Sequence, residues 1–189
     1  MKKILLSAVA VIALGVTAQA QEIKFGVKAG LNIADLGGDA ETNGSRTGLH
    51  IGGLAEFKLT ETFSVQPELV YSMQGAKSDN GVGGEFDLNL DYINVPIMAK
   101  YYVMEGLSIE AGPQIGFLMG AEFDGNDVKD NYKSIDFGLG GGVAYDLPMG
   151  VFFQARYYAG MSSITEDIEG VETVDTMNNV ISLSVGYKF

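Results

Sequence analysis

Hydrophobic and polar residues alternate with period two in eight separate stretches of this chain, and the last stretch shows the pattern most cleanly. Over Val180–Phe189, Ile181, Leu183, Val185, Tyr187 and Phe189 fall on one face, with Ser182, Ser184, Gly186 and Lys188 on the other. That spacing predicts a β-strand, because successive side chains of a strand point to opposite sides. The first stretch, 24–34, sets Phe25, Val27, Ala29, Leu31 and Ile33 against Lys28, Gly30 and Asn32. The second, 48–59, sets Leu49, Ile51, Ala55, Phe57 and Leu59 against His50, Glu56 and Lys58. The third, 63–73, sets Phe63, Val65, Pro67, Leu69, Tyr71 and Met73 against Gln66, Glu68 and Ser72.

The fourth stretch, 91–102, is the least regular, with Ile93, Val95, Ile97, Ala99 and Tyr101 on the apolar face and Tyr92, Asn94, Met98 and Lys100 opposite. In the fifth, 107–119, Leu107, Ile109, Ala111, Ile115 and Phe117 oppose Ser108, Glu110, Gly112, Gln114 and Gly116. In the sixth, 135–147, Ile135, Phe137, Leu139, Val143, Tyr145 and Leu147 oppose Asp136, three glycines, Ala144 and Asp146. The seventh, 151–160, opposes Val151, Phe153, Ala155, Tyr157 and Ala159 to Gln154, Arg156 and Tyr158. Eight is an even number, and most stretches are near the roughly 9–11 residues a tilted strand needs to cross a bilayer. The predicted fold is all-β: an eight-stranded antiparallel transmembrane β-barrel connected as an up-and-down meander.

The connections alternate in length. Thr60–Thr62, Val103–Gly106 and Pro148–Gly150 are short, whereas Asp35–Thr47, Gln74–Leu90, Gly120–Ser134 and Met161–Met177 are long and polar. Bacterial barrels show this asymmetry, with short turns in the periplasm and long loops outside. A soluble periplasmic barrel would also alternate, but there the apolar face turns inward and the outer face is wet. Here the polar face mixes Lys28, Glu56, Lys58, Glu68, Lys100, Glu110, Asp136, Arg156 and Lys188 with Gly30, Gly52, Gly112, Gly116, Gly138, Gly140, Gly142 and Gly186. Such a mixture suits a narrow interior where long side chains pass one another; on a wet surface so much glycine would only weaken the strands. The outward aromatics fall in two groups. Phe25, Phe57, Phe63, Tyr101, Tyr145, Phe153, Tyr187 and Phe189 lie towards the short turns, and Tyr71, Phe117, Phe137 and Tyr157 towards the long loops. Two belts match the two headgroup layers of a bilayer.

The amino-terminal end supports export. Lys2 and Lys3 precede an apolar run of thirteen residues, Ile4–Val16, and Ala18-Gln19-Ala20 is a small-x-small cleavage site. This reads as a secretory signal peptide over 1–20, cut before Gln21, with a barrel domain over 21–189. The run is too short for a transmembrane helix, which needs about 20 apolar residues. No Cys follows it, so no lipid is attached to a thiol there, and an absence of Cys throughout excludes a disulfide scaffold.

Without Lys2 and Lys3 the chain carries 10 basic and 24 acidic residues, a net charge of −14. That balance disfavours nucleic acid. Disorder is excluded by a hydrophobic content of 47% and its regular period. The four long connections hold 15 acidic and 4 basic residues (Arg46, Lys77, Lys129 and Lys133).

Several pieces together resemble a known family: KFGVKAGLNIADL from Lys24, FSVQPELVYSMQGAK from Phe63, LDYINVPIMAKYY from Leu90, FGLGGGVAYDL from Phe137 and the closing SVGYKF. They resemble the small Bacteroidetes outer-membrane β-barrels, the outer membrane protein beta-barrel domain or PorT-like family, over essentially the whole chain after the signal. The resemblance implies a general eight-stranded scaffold in the cell outer membrane. It carries over no substrate and no catalytic residue.

Chemistry is sparse. The single histidine, His50, is expected to face inward near the outer end of its strand, within reach of Ser, Asp or Tyr across the barrel, and is read as a polar rim residue, not a catalyst. One histidine and no cysteine exclude a thiol nucleophile and a multi-histidine metal site. Gly138–Gly142 lacks the lysine and the strand–loop–helix setting of a phosphate loop. The acids of Glu122–Asp127 and Glu166–Gly170 supply oxygen ligands of the kind calcium takes, without an EF-hand spacing, and are read as solvated loop surface. No catalytic, cofactor or metal residue is therefore assigned, and no enzyme is expected.

The interior charges are expected to pair with one another and plug the lumen, because eight strands leave room only for side chains or one small ligand. Reversing Glu68 or Arg156 alone should then be worse than exchanging both. The expected role is structural or surface-interacting, through the acidic loops, by a monomer; the alternative is a small channel or transporter for ions or solutes. Expected partners are the lipid bilayer, the barrel-assembly machinery that would read the final strand ending in Phe189, and lipopolysaccharide, divalent cations or surface proteins at the loops.

Overall fold

A computed structural model describes residues 22–38, 44–79, 85–166 and 175–189. The expected signal peptide and its cleavage point lie outside these residues, as do 39–43, 80–84 and 167–174 of the long connections. Eight long strands are present: β1 (Ile23–Gly38), β2 (Gly44–Lys58), β3 (Phe63–Asp79), β4 (Glu85–Met104), β5 (Leu107–Phe123), β6 (Ile135–Asp146), β7 (Val151–Gly160) and β8 (Thr176–Lys188). Each pairs antiparallel with its neighbours in sequence, and β1 pairs with β8 from Gly26↔Lys188 to Gly38↔Thr176. The last pairing closes the sheet, so none of these eight strands is left as an open edge. Closure is what a sheet requires in lipid, where water cannot satisfy an exposed N–H or C=O.

Side-chain direction follows the predicted alternation on every strand. On β1, Phe25, Val27, Leu31 and Ile33 face outward, while Lys28 and Asn32 are buried inside. On β8, Leu183 and Val185 are about half exposed, at 50% and 49%, with Ser184 and Lys188 buried between and beyond them. The outward surface is thus continuous hydrocarbon around the barrel. A soluble monomer rarely exposes an apolar patch above a few hundred Å²; a lipid-facing wall has no such limit.

The strands run further than the alternation predicts. β1 continues to Gly38, β3 to Asp79, β5 to Phe123, and β4 and β8 begin at Glu85 and Thr176, so much of the Asp35–Thr47 and Gln74–Leu90 connections is strand. The physical reason lies inside. Past the polar layers the inward positions become apolar, and Leu36, Ala76, Leu88, Leu90, Tyr92, Leu118 and Ala121 pack into a core capped by Ile164. Val128 and Tyr132 lean on this core from the β5–β6 connection, and burial raises the Tyr132 phenol above its ordinary pKa. That connection also holds a two-residue ribbon, Asn126–Asp127, paired to Phe123 and Glu122, and one turn of 3₁₀ helix at Lys129–Asn131.

The opposite end turns tightly. Glu105-Gly106 joins β4 to β5, with Gly106 at φ 77°, a left-handed conformation that glycine adopts without a Cβ clash.

Candidate functional site

The barrel interior is built in layers from inward residues two apart on each strand. Nearest the short turns, the Lys188 Nζ lies 2.6 Å from Glu56 Oε2 and 2.8 Å from Asp146 Oδ1. Lys100 sits 3.7 Å from Asp146 and 3.9 Å from Glu56. Tyr102 donates to Glu56 and, at 3.0 Å, to Asp146, while the Ser64 hydroxyl donates to Glu56 at 2.7 Å. One layer further in, Arg156 donates to both Glu68 oxygens, at 2.8 and 3.0 Å, and through Nε to Glu110 at 2.8 Å. Lys28 meets the same Glu68 at 2.7 Å, and Gln154 bridges the layer by accepting from Lys28 and donating to Glu110.

Apart from the partly exposed Asp146, these charges are removed from bulk water, so each acid needs its base. A buried ion pair is costly to break because the remaining partner is left uncompensated. Two expected members of the plug behave differently. Lys58 lies at the mouth, 3.8 Å from Glu22, because its strand ends there and its amine reaches water. Asp136 sits deep on the far side of the polar layers and, among the described residues, meets no basic side chain within salt-bridge distance.

His50 faces inward, as expected, but it is buried in a neutral layer above the ion pairs and is not a rim residue, because β2 extends beyond it to Gly44. Its Nδ1 lies 2.8 Å from Asn32 Oδ1, and its Nε2 lies 2.8 Å from the Ser184 hydroxyl. Asn32 in turn donates to Ser72 at 2.8 Å and accepts from Ser182 at 2.9 Å. Hydroxyl, imidazole and amide in line resemble the order of a nucleophile, its base and an orienting group. Access decides against that use: the adjoining cavity has a volume of about 30 Å³, room for a water molecule and no substrate. The arrangement satisfies buried polar groups. Asn32, Ser72 and Ser184 were legible as inward positions, but their mutual contacts depend on strand stagger, which periodicity alone does not fix.

At the short-turn end a wider cavity of about 710 Å³ opens outward, floored by Glu56, Asp146, Tyr102 and Lys188 and rimmed by Glu22, Lys24 and Lys58. It ends on the ion pairs. Gly138, Gly140 and Gly142 lie on the inner wall, where Gly138 makes room for the Tyr158 ring: a Cβ there would sit 2.7 Å from its hydroxyl. At the long-loop end Glu122, Asp124, Asp127 and Asp130 are exposed, and among the described residues no three carboxylates or imidazoles converge as metal ligands. Of the Glu166–Gly170 acids only Glu166 is among the described residues.

A closed eight-stranded sheet with a hydrocarbon exterior and a charged, filled interior defines a small β-barrel of the bacterial outer membrane. The chain belongs to the family described as "Outer membrane protein beta-barrel domain", whose profile matches residues 18–166, and it resides in the cell outer membrane. Among solved structures it is similar to Neisserial surface protein A, with a TM-score of 0.60 and 18% identity over 87% of this chain and 97% of that one. It is similar also to Ail, the attachment invasion locus protein of Yersinia pestis, in complex with the heparin analogue sucrose octasulfate (TM-score 0.54, 15% identity, 89% and 99% covered). A third similar structure is the outer membrane protein OprG from Pseudomonas aeruginosa (TM-score 0.50, 15% identity, 89% and 97% covered). At these identities the likeness is one of fold. No curated protein matches the chain.

Proposed function

We propose that this barrel is a non-conducting surface protein whose acidic loops make the functional contacts, and that the wall and lumen serve as its anchor. The observation that carries this reading is the double layer of buried ion pairs, in which Lys188, Glu56 and Asp146 lie below Lys28, Glu68, Arg156 and Glu110. A solute would have to strip both layers of their partners to pass. With the lumen filled, what remains for interaction is the loop end, and loops held by a rigid scaffold commonly carry binding.

Charge narrows the partner. Ail is crystallised with a sulfated heparin analogue. The long connections of this chain hold 15 acidic residues against 4 basic ones and would repel such a polyanion. The partner on this reading is a cationic protein or glycan, or anionic lipopolysaccharide reached through divalent ions. Placement in the Bacteroidetes, PorT-like branch rests on the sequence pieces alone and belongs to this proposal, as do the signal peptide over 1–20 and recognition of the last strand by the assembly machinery.

The test is photocrosslinking in cells from Asp124 and Asp130, with and without neutralisation of Glu122, Asp124, Asp127 and Asp130. Capture that is lost on neutralisation supports loop recognition. Capture confined to probes in the short turns, unchanged by neutralisation, contradicts it. The purified barrel in planar bilayers is expected to pass no steady current; steady conductance would overturn the plug in favour of a small channel.

A further inference from the structure

The interior charges balance one for one until the last. Lys28, Lys100, Arg156 and Lys188 are the buried bases, and Glu56, Glu68, Glu110 and Asp146 are the acids that meet them. Asp136 is a fifth acid, buried to 2% exposure, with no base beside it among the described residues. Its contacts are neutral: Ser162 Oγ lies 3.2 Å from Oδ1, Asn178 Nδ2 lies 3.4 Å from Oδ2, and the Tyr158 hydroxyl and the Phe137 backbone also reach the carboxylate. A lone carboxylate cannot remain ionised in such surroundings without compensation.

Around it stand oxygens that have lost water and gained little. The Tyr92 hydroxyl and Asn178 Oδ1 are buried without a hydrogen bond to any described protein group, and the buried Tyr158 hydroxyl has only Asp136 within reach. Buried polar atoms are nearly always satisfied, so two such oxygens near an acid that has no base, with a phenol turned to it, call for a common cause. Both phenols lie within electrostatic range of the Asp136 carboxylate. Gly116 and Gly138 open the space for them: a Cβ at Gly116 would sit 3.2 Å from the Tyr92 ring and 3.6 Å from the Asp136 Cβ, and one at Gly138 would strike the Tyr158 hydroxyl. Ile164 and the apolar core cover the group on the loop side.

We infer that Asp136, Asn178, Tyr92 and Tyr158 form a buried site for one monovalent alkali cation between the ion-pair plug and the apolar cap. The donor set is all oxygen, which selects a hard cation over a soft transition metal. It carries one negative charge, so a monovalent ion neutralises it, whereas a divalent ion would leave a buried positive charge. The ion supplies the missing fifth base and coordinates the unsatisfied oxygens at once.

The experiment is urea unfolding of the full barrel in detergent at constant ionic strength, in each alkali chloride from lithium to caesium and in tetramethylammonium chloride. Tetramethylammonium screens surface charge equally but is too large for the site. At least one alkali ion is expected to raise the unfolding midpoint above the tetramethylammonium value. Above its dissociation constant, each tenfold increase in that ion should multiply the folding constant by about ten. Asp136→Asn should abolish the ion dependence while raising stability in tetramethylammonium, and Tyr158→Phe, which keeps the charge, should shift the dependence to higher ion concentration. Neutralising Glu122, Asp124, Asp127 and Asp130 should leave it intact. Equal midpoints of the parent protein in all six salts would overturn the site and leave a protonated Asp136 in its place. Loss of the effect on neutralising the loop acids, or its retention in both Asp136→Asn and Tyr158→Phe, would overturn it too.

Discussion

Arg156 joins two buried carboxylates in the plug, since its guanidinium holds Glu68 with two hydrogen bonds and Glu110 with a third. Arg156→Leu leaves Glu110 with Gln154 alone, and destabilisation of about 3–5 kcal/mol is expected in urea unfolding from detergent micelles. The structure also alters the simple charge-exchange expectation. With Glu68 and Arg156 exchanged, the arginine at position 68 would face Lys28 and the glutamate at position 156 would face Glu110. The double exchange should therefore recover only part of the stability lost in either single reversal; full recovery would show that Lys28 and Glu110 are not held in the plug. Inner-wall glycines divide just as sharply. A Cβ at Gly112 would lie 2.0 Å from the Ile97 carbonyl oxygen, a backbone atom that cannot yield, whereas one at Gly140 would meet the flexible Met98 and Arg156 side chains at 3.4 and 3.5 Å. Gly112→Ala should fold poorly or lose several kcal/mol, as overpacking does when the neighbour cannot move, at about 1–3 kcal/mol or more. Gly140→Ala should stay near the parent in the same unfolding assay, and equal behaviour of the two would contradict the close approach of β4 to β5.

The strands were legible because each carries its own evidence: Phe25, Val27, Leu31 and Ile33 alternate with Lys28 and Asn32 without reference to any other part of the chain. Their ends were not. Leu36, Leu88 and Leu90 sit on the inward phase beyond the lipid-facing stretch, where an apolar residue no longer marks the outside, so the period continues while its meaning reverses. Asp79 and Glu85 fall in a polar stretch without alternation, although they pair across β3 and β4. The final strand offers a test at this scale. Phe189 is 71% exposed, and its backbone N–H donates to the Phe25 carbonyl at 2.8 Å, so its side chain adds little to the fold itself. Deleting it should lower the yield of folded barrel in cells severalfold while leaving refolding in detergent nearly unchanged, as read by the gel shift between folded and heated forms. Equal losses in both settings would make Phe189 a packing residue and contradict the proposed recognition of the last strand during assembly.

At the scale of the whole molecule, barrel closure places charges from all eight strands within reach of one another. The sequence showed that Lys28, Glu68 and Arg156 face the same lumen, but which acid meets which base depends on how β1, β3 and β7 are staggered. The neutral network around His50 and the unpaired Asp136 became visible only with that stagger. A filled lumen and outward-reaching loops both require that the apolar face of each strand be bathed in lipid and the polar face sealed inside. The chain has no Cys, so single cysteines can be introduced and spin-labelled without background. Labels at Ser182, Leu183, Ser184 and Val185 in reconstituted bilayers should alternate: Leu183 and Val185 accessible to oxygen dissolved in lipid, Ser182 and Ser184 shielded from both oxygen and a water-soluble nickel chelate. Strong contact of Leu183 and Val185 with the nickel chelate, or no alternation at all, would contradict a lipid-facing barrel wall.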